Sequence, residues 1–231
     1  MVYGGLKWAL EALASGSPIM LYDDDSREGE VDLVYPAWAV NAEVIYDLRV
    51  SAGGLICYAT DRKVTEFLGL PWGDELLAGY GRLGLLASKR LKYGDKPAFT
   101  IWVNHVNVKT GISDEDRSLT LRSLDEVVRL YYEGKPERAL EKFYGEFQAP
   151  GHVPILAARS LRERRGHTEL TIALLKAAGL RPSAVFAEML SKGRSATLEE
   201  ARSIAAGRKV PLVIGRDILE WCSKVEVCWD S

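Results

Sequence analysis

The chain has 231 residues, with 30 Lys and Arg against 32 Asp and Glu for a formal charge of −2; bulk electrostatic capture of nucleic acid or an anionic membrane is not expected. Apolar residues make up 47% and charged residues 27%, ordinary proportions that exclude a disordered or low-complexity chain. No apolar run approaches the ~18–20 residues of a membrane span, and residues 1–7 lack the charged-then-apolar order of a signal peptide.

Elements alternate from the start. Leu6, Ala9, Leu10 and Leu13 recur at helical spacing, with a stop at Gly16. Residues 18–22 read as a buried strand running into Asp23-Asp24-Asp25, and strand character resumes over 31–35 before Pro36. Asn41 can cap a helix carrying Val44, Ile45 and Leu48, and 54–59 is the next strand. Residues 70–97, with glycines at 73, 79, 81, 84 and 94, read as a long connection with room for one short helix. Residues 99–103 form a strand. Ser113 with Asp116 looks like a capping box opening a helix that runs to about Tyr132. A helix over 169–178 ends at Gly179 and leads to a strand over 184–187. Thr197 with Glu200 caps a helix that stops at Gly207, and 210–214 is the last strand. No repeat or linker divides the chain, so the expected fold is α+β, a single domain over 1–231 with one mixed sheet and helices packed around it. Cys57, Cys222 and Cys228 form no CxxC and leave one over from any pair. Neither a disulfide framework nor a structural zinc site is therefore expected, and a cytoplasmic location fits. Asn and Gln occur only four times in all, a scarcity that points to heat adaptation.

Two segments concentrate chemistry. If the chain is extended from Glu28 onward, Glu28, Glu30 and Asp32 share one face and Gly29, Val31 and Leu33 the other. Three carboxylates together repel unless a cation lies between them, and such oxygen-rich sites suit Mg²⁺; a solvated acidic turn is the alternative. In the second segment, Arg162-Glu163-Arg164-Arg165-Gly166-His167-Thr168, Thr168 can cap the following helix, whose N-terminus favours an anion beside the arginines. An ordinary charged loop is the competing reading there. His167 lies between these arginines and the helix start, which suits a ligand role better than a lone histidine does. Glu188 ends an apolar strand, where a carboxylate must be paired, exposed or held for proton transfer. Cys57 reads as a small buried hydrophobe. The helix start near Lys109 to Arg117 offers N–H groups to an anion.

In order along the chain, Arg27-Glu28-Gly29-Glu30-Val31-Asp32, Thr110-Gly111-Ile112-Ser113 with Asp116-Arg117, Gly151-His152-Val153, Gly166-His167-Thr168-Glu169 and Ala187-Glu188-Met189 resemble the motifs of the 3,4-dihydroxy-2-butanone 4-phosphate synthase family. The resemblance covers nearly the whole chain, and Asn104-His105 with the long connection before it resembles the archaeal branch. It implies a Mg²⁺-dependent carbon–carbon lyase of riboflavin biosynthesis, with Mn²⁺ as a substitute, converting D-ribulose 5-phosphate to L-3,4-dihydroxybutan-2-one 4-phosphate and formate. It further implies a homodimer, with no nucleic-acid or membrane partner. By the match, Glu28 and His167 are metal ligands, and Glu30 supports the metal through water. Substrate contacts fall to Arg27, Glu28, Asp32, Thr110, Arg164, Arg165, Gly166, His167, Thr168 and Glu188. His152, Glu188, Glu30 and Cys57 take the catalytic positions. Val31 and Arg165 depart from the common pattern, as does Ser191-Lys192-Gly193 after Glu188. No cysteine cluster of a fused GTP cyclohydrolase II is present, so a monofunctional enzyme is implied. A Mg²⁺-dependent isomerase or aldolase for another sugar phosphate stands as a second reading, and an RNA-binding module as a third, which the charge of −2 disfavours.

Overall fold

The computed structural model describes residues 2–224; Cys228 lies outside them. Its strands are β1 (Ile19–Tyr22), β2 (Val31–Pro36), β3 (Cys57–Asp61), β4 (Phe99–His105), β5 (Phe147–Ala158), β6 (Ser183–Glu188), β7 (Leu190–Ser191), β8 (Arg194–Ser195) and β9 (Leu212–Ile214). Seven form one mixed sheet in the order β4-β5-β3-β6-β2-β1-β9, while β7 and β8 make a separate hairpin. The pairs β1–β9 and β3–β5 are parallel and the others antiparallel.

Strict alternation along the strands sorts two cores onto the two faces of the sheet. Met20, Tyr22, Val31, Leu33 and Tyr35 meet Leu121, Leu124 and Val128 of the helix Asp114–Tyr132 on one face. Ile19, Leu21, Val34 and Phe186 meet Leu170 and Leu174 of the helix His167–Ala177, and Leu6, Ala9 and Leu13 of the helix Val2–Ala14, on the other. Each wholly buried leucine in these layers contributes about 2 kcal/mol by removal from water. The result is the expected α+β fold, with helices on both sides of a mixed sheet.

Topology creates one functional edge. Because β2 and β3 both run against β6, the starts of β2 and β3 and the end of β6 meet, with Asp32 opposite Glu188 and Cys57 opposite Phe186. β5 runs parallel to β3 from Tyr58↔Ile155 onward, which carries His152 toward the same edge.

Several expectations need correction. Chain extension begins at Val31, not Glu28: residues 25–28 form a turn and Gly29 has φ +64, a left-handed conformation glycine adopts without a Cβ clash. The strand expected over 54–59 starts at Cys57, since residues 54–55 instead wrap Glu188. A Cβ on Gly54 would stand 2.3 Å from the Glu188 Oε2, so only glycine fits there. The helix expected from Glu169 starts at His167 with Gly166 as N-cap. Thr168 is therefore a buried helical residue rather than a cap. The connection over 70–97 holds two short helices, Gly73–Ala78 and Gly84–Ala87, with no buried residue in either. β5 and the helices Pro136–Glu146 and Gly215–Cys222 were not anticipated. Cys57 is a buried free thiol, but Cys222 is disulfide-bonded, which removes the cysteine-based argument for a reducing compartment.

Candidate active site

The turn between β1 and β2 is organised by a buried carboxylate that sequence reasoning passed over. Asp23, 1% exposed, accepts the backbone N–H of Glu28 and of Glu30, each at 3.1 Å, and the Arg27 guanidinium at 3.1 Å. These bonds fold the turn so that the Glu28 side chain meets the first residue of the helix His167–Ala177. Glu28 Oε2 lies 3.3 Å from His167 Nδ1, and His167 Nε2 lies 3.1 Å from the Glu30 carbonyl and 3.7 Å from Asp32 Oδ1. Both ring nitrogens thus face acceptors, the arrangement a charged imidazolium needs. The other Glu28 oxygen accepts the Tyr93 hydroxyl at 2.6 Å and sits 3.6 Å from Arg164. Glu30 accepts the Ser195 hydroxyl at 2.5 Å, and Glu188 accepts the Leu55 N–H at 2.8 Å.

Electrostatics divide these carboxylates by role. Burial opposes the charge on Glu28, but the hydrogen bond and charge of His167, the Tyr93 hydroxyl and Arg164 outweigh it and hold the carboxyl well below its usual range. Burial likewise opposes a charged His167, yet Asp32, Glu28 and Asp23 push its pKa up. Asp32 moves the other way: its burial, with repulsion from Glu188, Glu28 and Glu30, exceeds the pull of His167 and raises its pKa far above the usual range. Its Oδ1 is buried without a hydrogen-bond partner. Burial also raises Glu188, and the Cys57 thiol is driven up by burial and by Glu188 and Asp32 nearby. The surroundings therefore bias Glu28 and His167 toward their charged forms and Asp32 toward its neutral one.

Arg164 is nine-tenths buried. Its Nη1 donates to Glu169 Oε2 at 2.6 Å, and Glu169 also accepts the Gly166 and Arg159 N–H groups, tying the arginine to the helix start. Arg165 is exposed and turns back to the Leu161 carbonyl at 3.2 Å. It borders a small cavity of about 140 Å³ with Asp23, Arg27 and Arg216.

Thr110 and His152 lie apart from this centre. The N–H groups of Lys109, Thr110 and Gly111 converge on Asp116, so the anion at that helix start is an internal carboxylate. Gly111 abuts the Asn104 side chain, which bonds the His152 backbone N–H at 2.8 Å and its ring Nδ1 at 3.1 Å. Among the described residues, no hydrogen bond or ion pair joins this group to the Glu28–His167 centre. His152 is on β5 and Asp32 on β2, three strand positions away along the sheet, about 14 Å at the usual strand spacing.

The donor set at the centre fits a hard dication. Asp23, Glu28 and His167 each offer a ligand atom within 4.8 Å of the others, and carboxylate oxygen with imidazole nitrogen suits Mg²⁺ or Mn²⁺. Asp23 accepts three hydrogen bonds within the turn, whereas Glu28 and His167 face each other across the centre.

Residues 7–221 match the family described as 3,4-dihydroxy-2-butanone 4-phosphate synthase. The chain belongs to this synthase family. A 3,4-dihydroxy-2-butanone 4-phosphate synthase of Methanosarcina acetivorans is 40% identical over 222 residues, covering 92% of this chain and 88% of its own. One of Archaeoglobus fulgidus is 37% identical over 228 residues, covering 92% and 91%; both relatives are archaeal, in keeping with the expected branch. Among solved structures, the family's synthase in complex with two magnesium ions superposes with a TM-score of 0.71 at 26% identity, over 95% of this chain and 96% of that one. The Candida albicans synthase gives 0.71 at 28% identity, over 94% and 96%. Membership in the synthase family makes the chain a lyase of riboflavin biosynthesis. Tyr93, Asp95 and Ser195, which also reach into the centre, were not anticipated. Only the acidic run offered a signal for Asp23, and nothing local pointed to the others.

Proposed function

We propose that the chain converts D-ribulose 5-phosphate to L-3,4-dihydroxybutan-2-one 4-phosphate and formate, as a single domain acting in the cytoplasm. The observation that carries this reading is the Glu28–His167 pair at 3.3 Å, set between two arginines and the facing carboxyls of Asp32 and Glu188, in a chain of this family. Glu28 and His167 would hold the cation, His167 through a deprotonated ring nitrogen; Mn²⁺ suits the same donors. The cation supplies Lewis-acid polarisation of the sugar's carbonyl and hydroxyl oxygens.

The chain's own groups do the rest. Arg27 and Arg164 anchor the phosphate, so that binding energy remote from the reacting carbons orients the ketose. Asp32 and Glu188 face each other across β2 and β6, and burial raises both above the usual carboxylate range. Such a pair can take a proton from the carbon beside the C2 ketone and return one later, as the skeleton rearranges and C4 leaves as formate. Product and formate together contain every atom of the substrate, so no oxidant or further reactant is needed. Glu30, fixed by Ser195, lines the same space, and Cys57 contributes a neutral thiol. Gly166 and Thr168 bring the helix N-terminus to the phosphate end, with Arg165 at the rim.

Thr110 and His152 serve the same reaction if two copies pair edge to edge. We place them at the partner's site in a homodimer, because within one chain they stand strands away from the metal ligands. Leu55, Ile112 and Leu190 are each about half exposed along that rim and would be covered. A solution mass of one chain, 25.6 kDa, would remove this part of the reading. No helix among the described residues is long and apolar enough to cross a membrane, and disulfides occur inside cells of heat-adapted organisms, so Cys222 is compatible with the cytoplasmic location.

Incubation with ribulose 5-phosphate and Mg²⁺ should release formate in step with ketose loss. EDTA should stop the release, and Mg²⁺ or Mn²⁺ should restore it. An aldose product without formate would favour the isomerase reading instead.

A further inference from the structure

Asp95 has none of the roles above, yet it lies between the two guanidinium groups proposed to anchor the phosphate. Its Oδ2 is 2.5 Å from Arg27 Nη2 and 3.7 Å from Arg164 Nε. Two residues earlier, Tyr93 donates to Glu28, and the Arg27 guanidinium stands 4.9 Å over the Tyr93 ring. A three-residue stretch of the β3–β4 connection thus presents an anion to the arginine pair and a hydroxyl to the metal-binding carboxylate.

The carboxylate satisfies only half of that pair. Arg164 is 8% exposed, and its Nε is buried with no hydrogen-bond partner. Planar and two-oxygened, Asp95 bonds Arg27 closely and leaves Arg164 Nε beyond hydrogen-bond reach. A tetrahedral phosphate has three free oxygens and greater charge, so it can bond both arginines at once. The rest of the connection is fastened mainly by exchangeable contacts: Lys96 to Asp74 at 2.5 Å, Arg159 to the Pro97 carbonyl at 3.4 Å, and Arg159 stacked 3.7 Å over Trp72.

We infer that Asp95 is a built-in counter-anion that competes with the substrate's phosphate for Arg27 and Arg164, and so sets how tightly the site holds phosphate. The inference rests on the phosphate-anchoring role proposed above. In the empty site Asp95 keeps two converging positive charges paired. On binding, phosphate takes its place and the 93–95 stretch leaves the arginines.

The test is calorimetric titration of inorganic phosphate, with Mg²⁺ present, into the wild-type, Asp95→Asn and Asp95→Glu proteins. Loss of one competing charge-assisted contact should tighten phosphate binding about tenfold in Asp95→Asn, with a parallel fall in KM for ribulose 5-phosphate. Asp95→Glu should bind close to wild type. Unchanged or weaker binding by Asp95→Asn would overturn the inference, and so would Asp95→Glu behaving like Asp95→Asn, since the charge would then be irrelevant. Formate release by the wild-type protein is read alongside. Normal turnover with unmoved phosphate affinity refutes the role of Asp95 alone, whereas absent turnover refutes the functional reading beneath it.

Discussion

Replacing His167 with Ala should lower kcat/KM for ribulose 5-phosphate by at least about a thousandfold, because a cation site and a poised proton network are lost together. The imidazole touches Glu28, the Glu30 carbonyl and Asp32 at once, so no neighbour can stand in for it. The fold should survive. Asp32 already favours its neutral form, and a neutral buried carboxyl that loses a neighbour costs about 1–3 kcal/mol, not the larger penalty of an orphaned charge. Two measurements separate chemistry from folding: circular dichroism should match wild type, and the rise in Tm produced by Mg²⁺ should vanish. Turnover within tenfold of wild type would mean that His167 does not hold the metal.

Arg164→Ala should act on both binding and stability. KM for ribulose 5-phosphate should rise about a hundredfold, the scale of losing a charge-assisted bidentate contact to phosphate. Stability should drop by about 3 kcal/mol as well, since the Glu169 side chain is wholly buried and loses its counter-ion at 2.6 Å. The Gly166 and Arg159 N–H groups still bond Glu169, which keeps the loss near the lower end for a broken buried pair. Arg164→Lys should fall between, keeping the charge but not the planar fork. A stable Arg164→Ala protein with unchanged KM would show that the phosphate is anchored elsewhere.

Much of the framework was legible because it rests on local patterns. The Val31-Asp32-Leu33-Val34-Tyr35 alternation, the Ser113 cap and the Thr197–Glu200 box all stand where periodicity and capping chemistry put them. β5 was hidden because Pro150, Gly151 and Pro154 interrupt its apolar run, and proline normally argues against an interior strand. The structure accommodates them through register shifts between β4 and β5. Gly166 could have been recognised as the helix N-cap, since Glu169 follows it at capping-box spacing.

At the site, the residues that meet across a turn or strand pair were the readable ones. The acidic turn and the Gly166-His167-Thr168 start each announce themselves locally, and the fold brings Arg27, Glu28, Glu30, Asp32, Arg164, His167 and Glu188 to one edge. Tyr93 and Asp95 arrive from 65 and 68 residues beyond Glu28 and Arg27, and a single sequence carries no trace of such a contact. Thr110 and His152 illustrate the opposite limit. Their motifs stand out in the sequence, but the chain places them on β5 and its neighbouring loop, away from the other groups.

Glu28 and His167 should together grip one divalent ion. Crystals grown with Mn²⁺ and measured at an anomalous wavelength address it directly. An anomalous peak should lie at bonding distance from both a Glu28 carboxylate oxygen and a His167 ring nitrogen. A peak that touches neither residue, with the Glu28–His167 ion pair still closed beside it, would contradict it.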